Sequence, residues 1–339
     1  MSYYTDKKIL IVGGTGTIGN GLVKELLKHR PSVIRILSRD EYKQFIMENE
    51  FENRSNNLRF FIGDVRDYDR VDRAMDEIDV VFNLAAMKHV PACEYNPSEA
   101  IKTNVIGMEN IIKAAINNNV ESVVFTSSDK AINPTNSYGA TKLLAEKLVQ
   151  AANYSKGKVK TKFVAVRFGN VMGSRGSVIP LFKKQIKELR KITVTDPNMT
   201  RFMMTLSEAV NLIMTAGEKS FGGEVFVLKM PIIKLQHLAE VIVEETAKKY
   251  NISLQDIDIQ TIGFRAGERK FEELMTKEES QFAYDLGDMY AVLGSDYSKL
   301  LKNYYKIYKN AEIGSYNSSE GIHITKDQVK ILLSKEGLI

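Results

Sequence analysis

An apolar run, Lys8-Ile9-Leu10-Ile11-Val12, passes directly into Gly13-Gly14-Thr15-Gly16-Thr17-Ile18-Gly19. No other feature of the chain restricts its fold as tightly. The run reads as a buried strand and residues 18–28 as an amphipathic helix, so the glycines occupy a strand-to-helix turn. Gly13 permits the sharp turn, Gly16 lets backbone approach a pyrophosphate, and Gly19 lets the helix pack closely. The helix N-terminus then offers free amides to phosphate, with Thr15, Thr17 and Ile18 lining the same turn. A glycine pattern alone is weak evidence, but in this setting it indicates a dinucleotide site.

The alternation continues. Strand patterns lie at 33–37, 58–63, 80–83, 121–125 and 163–166, with helical spacing at 68–75, 101–117 and 143–150. Strands alternating with helices at this pitch build a parallel sheet through right-handed crossovers. The expected fold class is α/β, a doubly wound parallel Rossmann sheet with a smaller α+β substrate-binding cap. After Gly173 the rhythm loosens: helices are expected at 178–189, 206–217, 235–250 and 326–334, and strands at 192–194, 224–228 and 257–262. Residues 1–172 and about 202–229 are assigned to the dinucleotide domain, and 173–201 and 230–339 to the cap and tail.

Composition narrows the class. A chain of 339 residues, 44% hydrophobic and 26% charged, is expected to fold as a compact globule. Its apolar runs are too short to span a bilayer, and no signal segment precedes the first strand. A single cysteine, Cys93, leaves no intrachain disulfide and no cysteine-rich metal site, and a cytoplasmic setting is expected. The net charge of +5 is mild; it suits an anionic small substrate but lacks the dense stripe that nucleic acid requires.

The strand ends carry the candidate site. Ser38-Arg39-Asp40 closes the second strand; hydroxyl and guanidinium there suit a ribose 2′-phosphate, so NADP is favoured over NAD, although Asp40 stands one residue away. Asp64, followed by Val65, is expected to accept from the adenine amino group. Leu84, Ala85 and Ala86 leave room for a cofactor, and Lys88 and His89 follow at a sheet edge where open α/β sheets bind ligands. Ser128-Asp129-Lys130 lies at the mouth of the sheet, eight residues before Tyr138. Tyr138 and Lys142, four apart on a helix, share a face, and the ammonium there is expected to lower the phenol's pKa. No metal site is expected.

Taken together, these motifs resemble the extended short-chain dehydrogenase/reductase superfamily. Lys88-His89-Val90-Pro91, Ser128-Asp129-Lys130-Ala131, the stretch from Gly169 to Pro180, and Met199-Thr200-Arg201-Phe202 resemble more narrowly its soluble UDP-N-acetylglucosamine 4,6-dehydratases, including the C5-inverting kind that starts pseudaminic acid synthesis. The resemblance implies these roles. Tyr138 takes the C4 hydroxyl proton, assisted by Ser128, and Lys142 binds the nicotinamide ribose. Lys130 removes the C5 proton, its own pKa lowered by burial. Asp129 protonates the departing C6 hydroxyl. Asn170, Arg175 and Ser177 hold the nucleotide sugar with Lys88 and His89, while Arg201, Arg265 and Glu268 hold its diphosphate and ribose. The family has threonine at Ser128 and proline at Ala266. The resemblance also implies a homodimer or larger assembly through helices near 101–117 and 140–153. The alternatives are a C5-retaining dehydratase, a UDP-sugar 4-epimerase, an NADP-dependent reductase and, in a different class, a non-catalytic NADP-binding regulator.

Overall fold

The computed structural model describes residues 2–51, 56–174, 176–265, 267–294 and 299–339. Arg175 and Ala266, which two expectations concern, lie outside that set.

The first half is a regular alternation: β1 (Lys8–Val12), α1 (Thr17–Lys28), β2 (Val33–Ser38), α2 (Glu41–Phe51), β3 (Leu58–Ile62), α3 (Tyr68–Met75) and β4 (Val80–Asn83). Two short helices, α4 (Val90–Tyr95) and α5 (Pro97–Ile101), lead through a π-helical turn (Lys102–Ile106) into α6 (Gly107–Asn117). Then come β5 (Ser122–Thr126), α7 (Ser137–Ser155) and β6 (Lys162–Arg167). The second half contains β7 (Asn170–Val171), α8 (Val178–Leu189), β8 (Lys191–Val194), β9 (Thr200–Met204), α9 (Leu206–Lys219), β10 (Val225–Leu228), β11 (Ile232–Lys234), α10 (Leu235–Tyr250) and β12 (Asp258–Thr261). It closes with β13 (Glu273–Met275), α11 (Lys277–Ser280), β14 (Ala283–Asp285), β15 (Met289–Val292), α12 (Lys299–Tyr305), β16 (Lys309–Asn310), β17 (Tyr316–Asn317) and α13 (Lys326–Lys335).

The main sheet has ten strands in the order β16-β14-β15-β10-β6-β5-β4-β1-β2-β3. From β10 to β3 every pairing is parallel. Chain order reverses beside β1, the doubly wound arrangement, and ligands in such sheets bind at the carboxyl ends next to that reversal. The central strands are buried along nearly their whole length, which is why they read as unbroken apolar runs. A second, smaller core joins α8, α10 and α13 through Phe182, Ile186, Leu238, Ile242 and Leu333.

Several elements depart from expectation. β14, β15 and β16 add to the main sheet in antiparallel pairing, although the sequence reading put everything after residue 230 in the cap. Helix α2 carries an inverted pattern. Its Gln44 is buried and donates to the Ser38 and Phe61 carbonyls at 3.0 and 2.7 Å, while Tyr42, Phe45 and Ile46 face outward. The helix expected over 101–117 is interrupted by the π-helical turn, a feature that often marks a functional site.

Candidate active site

The site begins at the glycine turn. Gly13 has φ +78°, and a Cβ there would stand 2.8 Å from the Ala85 amide nitrogen, so a side chain would fill the gap between β1 and β4. Gly16 has only the Gly13 carbonyl near its missing side chain, which leaves the helix end open. Thr15 and Ser38 bridge the tips of β1 and β2 at 2.8 Å. This cradle fits a dinucleotide pyrophosphate.

Asp40 stands just past the tip of β2. Its carboxylate accepts from the Lys43 amide at 3.0 Å and pairs with the Lys43 amine, so it is spent on the first turn of α2. Arg39 is left exposed at the tip, 3.5 Å from Asp64. Asp64 itself accepts from Arg66 at 2.7 and 2.9 Å. Burial pushes its carboxyl up, but the Arg66 bonds outweigh that and hold it below its ordinary value. Val65 is buried beneath Gly107, where a side chain would meet it at 2.8 Å.

The reacting groups hang from the ends of β5 and α7. Ser128 opens a 3₁₀ turn, Asp129–Ala131, and donates to Asp129 Oδ1 at 2.7 Å. Asn136 caps α7 by accepting from the Gly139 amide at 2.8 Å, which sets Tyr138 in the first helical turn. Gly139 packs against the Lys130 carbonyl so closely that no Cβ would fit, and this contact brings the tyrosine beside the Asp129–Lys130 turn. Against the burial that raises it, Ser128 is among the neighbours that lower the Tyr138 phenol's pKa.

Two expectations about charge are corrected here. Burial raises the Tyr138 phenol; Ser128 and Lys130 pull it back, and the result remains above the ordinary value. Lys142 does not lower it in the ligand-free chain. Its amine donates to the Thr126 carbonyl at 2.8 Å and lies 4.6 Å over the Phe125 ring, and burial pushes it down to about 7. The second correction concerns Lys130. Burial does oppose its charge, but Asp129 at 3.1 Å and Glu272 at 3.4 Å more than reverse this, so its pKa is raised.

A cleft of about 690 Å³, counting its open mouth, adjoins this turn, a size suited to a small-molecule ligand. Lys130, Asn170, Arg201, Arg265, Glu268 and Glu272 line it. Sequence reasoning had named all of these but Glu272. Their partners differ from expectation. Arg201 donates to the Thr200, Lys270 and Arg269 carbonyls at 2.8, 3.2 and 2.8 Å, and its Nε lies 3.6 Å from Glu272, so much of its guanidinium straps the 265–272 loop. Glu268 accepts from the Arg265 amide at 3.1 Å, a contact internal to the loop. Arg265 is exposed on the cleft wall. Ser177 stands at the N-terminus of α8 with its hydroxyl buried and without a hydrogen-bond partner among the described residues, and exposed His89 packs against Gly176. Lys88 is exposed at the same edge.

Two residues escaped the sequence reading. Asn104, in the π-helical turn, accepts from the Met87 amide at 2.8 Å and donates to Met87 O at 3.0 Å and Thr141 Oγ1 at 2.9 Å, pinning the strand-end loop to α7. A buried asparagine within an otherwise apolar helical period was the available signal. Glu272, discussed below, carried none.

A glycine cradle at β1, a doubly wound sheet and a buried tyrosine–lysine helix turn define an extended short-chain dehydrogenase/reductase, and the chain is an enzyme of that superfamily. Residues 9–293 match the polysaccharide biosynthesis protein family, and the chain belongs to it. It is 50% identical to Pen from Bacillus thuringiensis, whose solved structure superposes with a TM-score of 0.94 over 99% of each chain. It is 44% identical to a UDP-N-acetylglucosamine 4,6-dehydratase (inverting) of Campylobacter jejuni, over 85% of this chain and 83% of that one. A UDP-glucose 4-epimerase of Rickettsia felis is 41% identical over 97% and 96% of the two chains. Among the described residues no helix is long and apolar enough to cross a membrane.

Proposed function

We propose that this enzyme is an NADP-dependent UDP-N-acetylglucosamine 4,6-dehydratase of the C5-inverting kind, releasing a UDP-2-acetamido-2,6-dideoxy-4-hexulose. The observation that carries the reading is the Asp129–Lys130 pair, set beside Tyr138 and opening onto the cleft. An epimerase needs only to oxidise and reduce C4, which Tyr138 and Lys142 serve; an acid and a base next to them are the equipment for eliminating water at neighbouring carbons.

The glycine cradle and the exposed Arg39 support NADP, with Asp40 withdrawn into its cap. Bound there, the nicotinamide would take up and later return a hydride. Tyr138 receives the C4 hydroxyl proton, assisted by Ser128. A C4 ketone acidifies the C5 proton, which passes to Lys130 while Asp129 gives a proton to the leaving C6 hydroxyl. One proton is gained by Lys130 and one lost by Asp129, so the pair begins with lysine neutral and aspartic acid protonated. The resting contacts at 3.1 and 3.3 Å are those of the opposite state, ammonium and carboxylate, one proton transfer away. Residues 1–172 and about 202–229 would hold the cofactor, and 173–201 with 230–282 and the tail the nucleotide sugar, β14–β16 completing the main sheet. Outward-facing Ile106 and Leu144 support pairing of two copies through α6 and α7, and the lone buried thiol of Cys93 suits a reducing cytoplasm.

Incubation with UDP-N-acetylglucosamine in heavy water, followed by proton NMR, tests the reading. A 4-keto-6-deoxy product bearing deuterium at C5 is expected, with coupling constants reporting inversion. The second reading, a UDP-sugar 4-epimerase, is favoured by the Rickettsia relative; recovery of the C4 epimer alone would establish it and sink the dehydratase. Lys130→Ala is expected to abolish dehydration while NADP binding persists.

A further inference from the structure

Glu272 is almost fully buried, and its Oε1 lies 3.4 Å from Lys130 Nζ and 3.6 Å from Arg201 Nε. Its Oε2 is buried without a hydrogen-bond partner among the described residues. A buried carboxylate with one unsatisfied oxygen costs stability. Its main chain is nevertheless held firmly: the amide donates to Ser318 Oγ at 2.9 Å, and the carbonyl accepts from the Ser318 amide at 2.8 Å. Ser318 in turn bonds Thr200, the residue beside Arg201. The fold thus fixes a second acid within reach of the Lys130 amine, 3.4 Å away, while Asp129 lies at 3.1 Å.

We propose that Glu272 is a positioning residue for Lys130: it holds the amine on the cleft side of Asp129 and ties it, through Arg201, to the 265–272 loop. The assignment of Lys130 to the C5 proton rests on the dehydratase reading; the placement does not. Four groups form a buried, formally neutral cluster, Asp129 and Glu272 against Lys130 and Arg201, with Tyr138 the further titratable group that faces the lysine. Two carboxylates compete for one ammonium. Each keeps the amine from collapsing onto the other, and together they raise its proton affinity. After Lys130 receives a proton, the pair of acids stabilises the ammonium that forms. Movement of the loop also reaches the lysine directly, because Arg201 donates to the Arg269 and Lys270 carbonyls as well as facing Glu272.

The test is NMR titration of ligand-free protein labelled at lysine Cε, with Lys130→Arg assigning the resonance. In Glu272→Gln the Lys130 midpoint is expected to fall by roughly tenfold or more in proton affinity relative to wild type. In Glu272→Asp, which keeps the charge but draws it back, the midpoint should stay high while kcat for C5 deuterium exchange falls roughly tenfold at little-changed KM. An unmoved midpoint in Glu272→Gln, or full exchange activity in Glu272→Asp, overturns the proposal. Should Glu272→Gln fail to fold by circular dichroism, Glu272→Asp decides alone: wild-type exchange refutes, and loss of kcat with the midpoint retained supports. A lowered midpoint in a wild-type background that never dehydrates the sugar would refute the reaction and uphold the placement.

Discussion

Lys142 offers a test that needs no substrate. Its side chain is buried, with no carboxylate beside it among the described residues, and burial pushes the amine from 10.5 down to about 7. That difference corresponds to about 5 kcal/mol between charged and neutral forms in the fold. Two contacts offset part of it. The Phe125 ring, 4.6 Å from the amine, returns ~1 kcal/mol to the ammonium. The 2.8 Å bond to the Thr126 carbonyl returns ~1 kcal/mol more when the donor is charged. About 3 kcal/mol remains. The sign follows from proton counting. Between about pH 7 and 10.5 the unfolded chain binds the lysine proton and the folded chain does not, so stability rises with pH across that window. Below it both states are protonated and the full cost is felt.

The measurement is urea unfolding of ligand-free wild type and Lys142→Met, each at about pH 7 and about pH 9.5, short of the ordinary tyrosine value. Tyr138 works in the opposite direction: its raised phenol makes stability fall above its ordinary value of 10.0, which is why the scan stops there. The expected outcome is that wild type gains about 2 kcal/mol more than the methionine variant over this interval. The subtraction removes every other titrating group and the lost bond to Thr126. Equal gains in the two proteins would mean that the amine stays charged across this interval, and the case for a lowered Lys142 would collapse. The consequence for catalysis is direct. If Lys142 activates Tyr138 as proposed, it would do so only in the fraction of molecules that carry the charge, so anything that favours the ammonium would also favour the phenolate.

Two further outcomes are expected. Gly13→Ala forces a side chain into a left-handed backbone and within 2.8 Å of the Ala85 amide, so it should cost about 1–2 kcal/mol by urea unfolding and abolish dinucleotide binding measured by calorimetry. Arg39→Ala removes the exposed guanidinium at the tip of β2; NADP affinity should drop roughly tenfold or more with NAD affinity little changed, and parallel losses for both would refute the 2′-phosphate assignment.

What could be read from residues alone follows a physical boundary. The parallel strands were legible because burial on both faces writes them as unbroken apolar runs, as in β1, β4, β5 and β10. Strands of two to four residues at the sheet margin, such as β14 and β16, show no period long enough to recognise, and α2 buries Gln44 with Met47 and Phe51 while exposing Tyr42, Phe45 and Ile46. At the site the same rule holds for chemistry. Ser128, Asp129, Lys130, Tyr138 and Lys142 were found together because one turn and one helix carry them in sequence order. Glu272 stands in Arg269-Lys270-Phe271-Glu272-Glu273, which reads as a solvated charged stretch. Its burial comes from Ser318 and Thr200, residues distant in sequence. Together with Asp129, that distant carboxylate raises the pKa of Lys130, which burial alone would lower. Local sequence therefore supplies the inventory of acids and bases, whereas their protonation is a property of the assembled cluster. In the proposed reaction, the base at C5 would be defined only when the 269–272 segment is in place. This would make that segment, rather than the Asp129–Lys130 pair alone, the element through which substrate binding can move the shared proton.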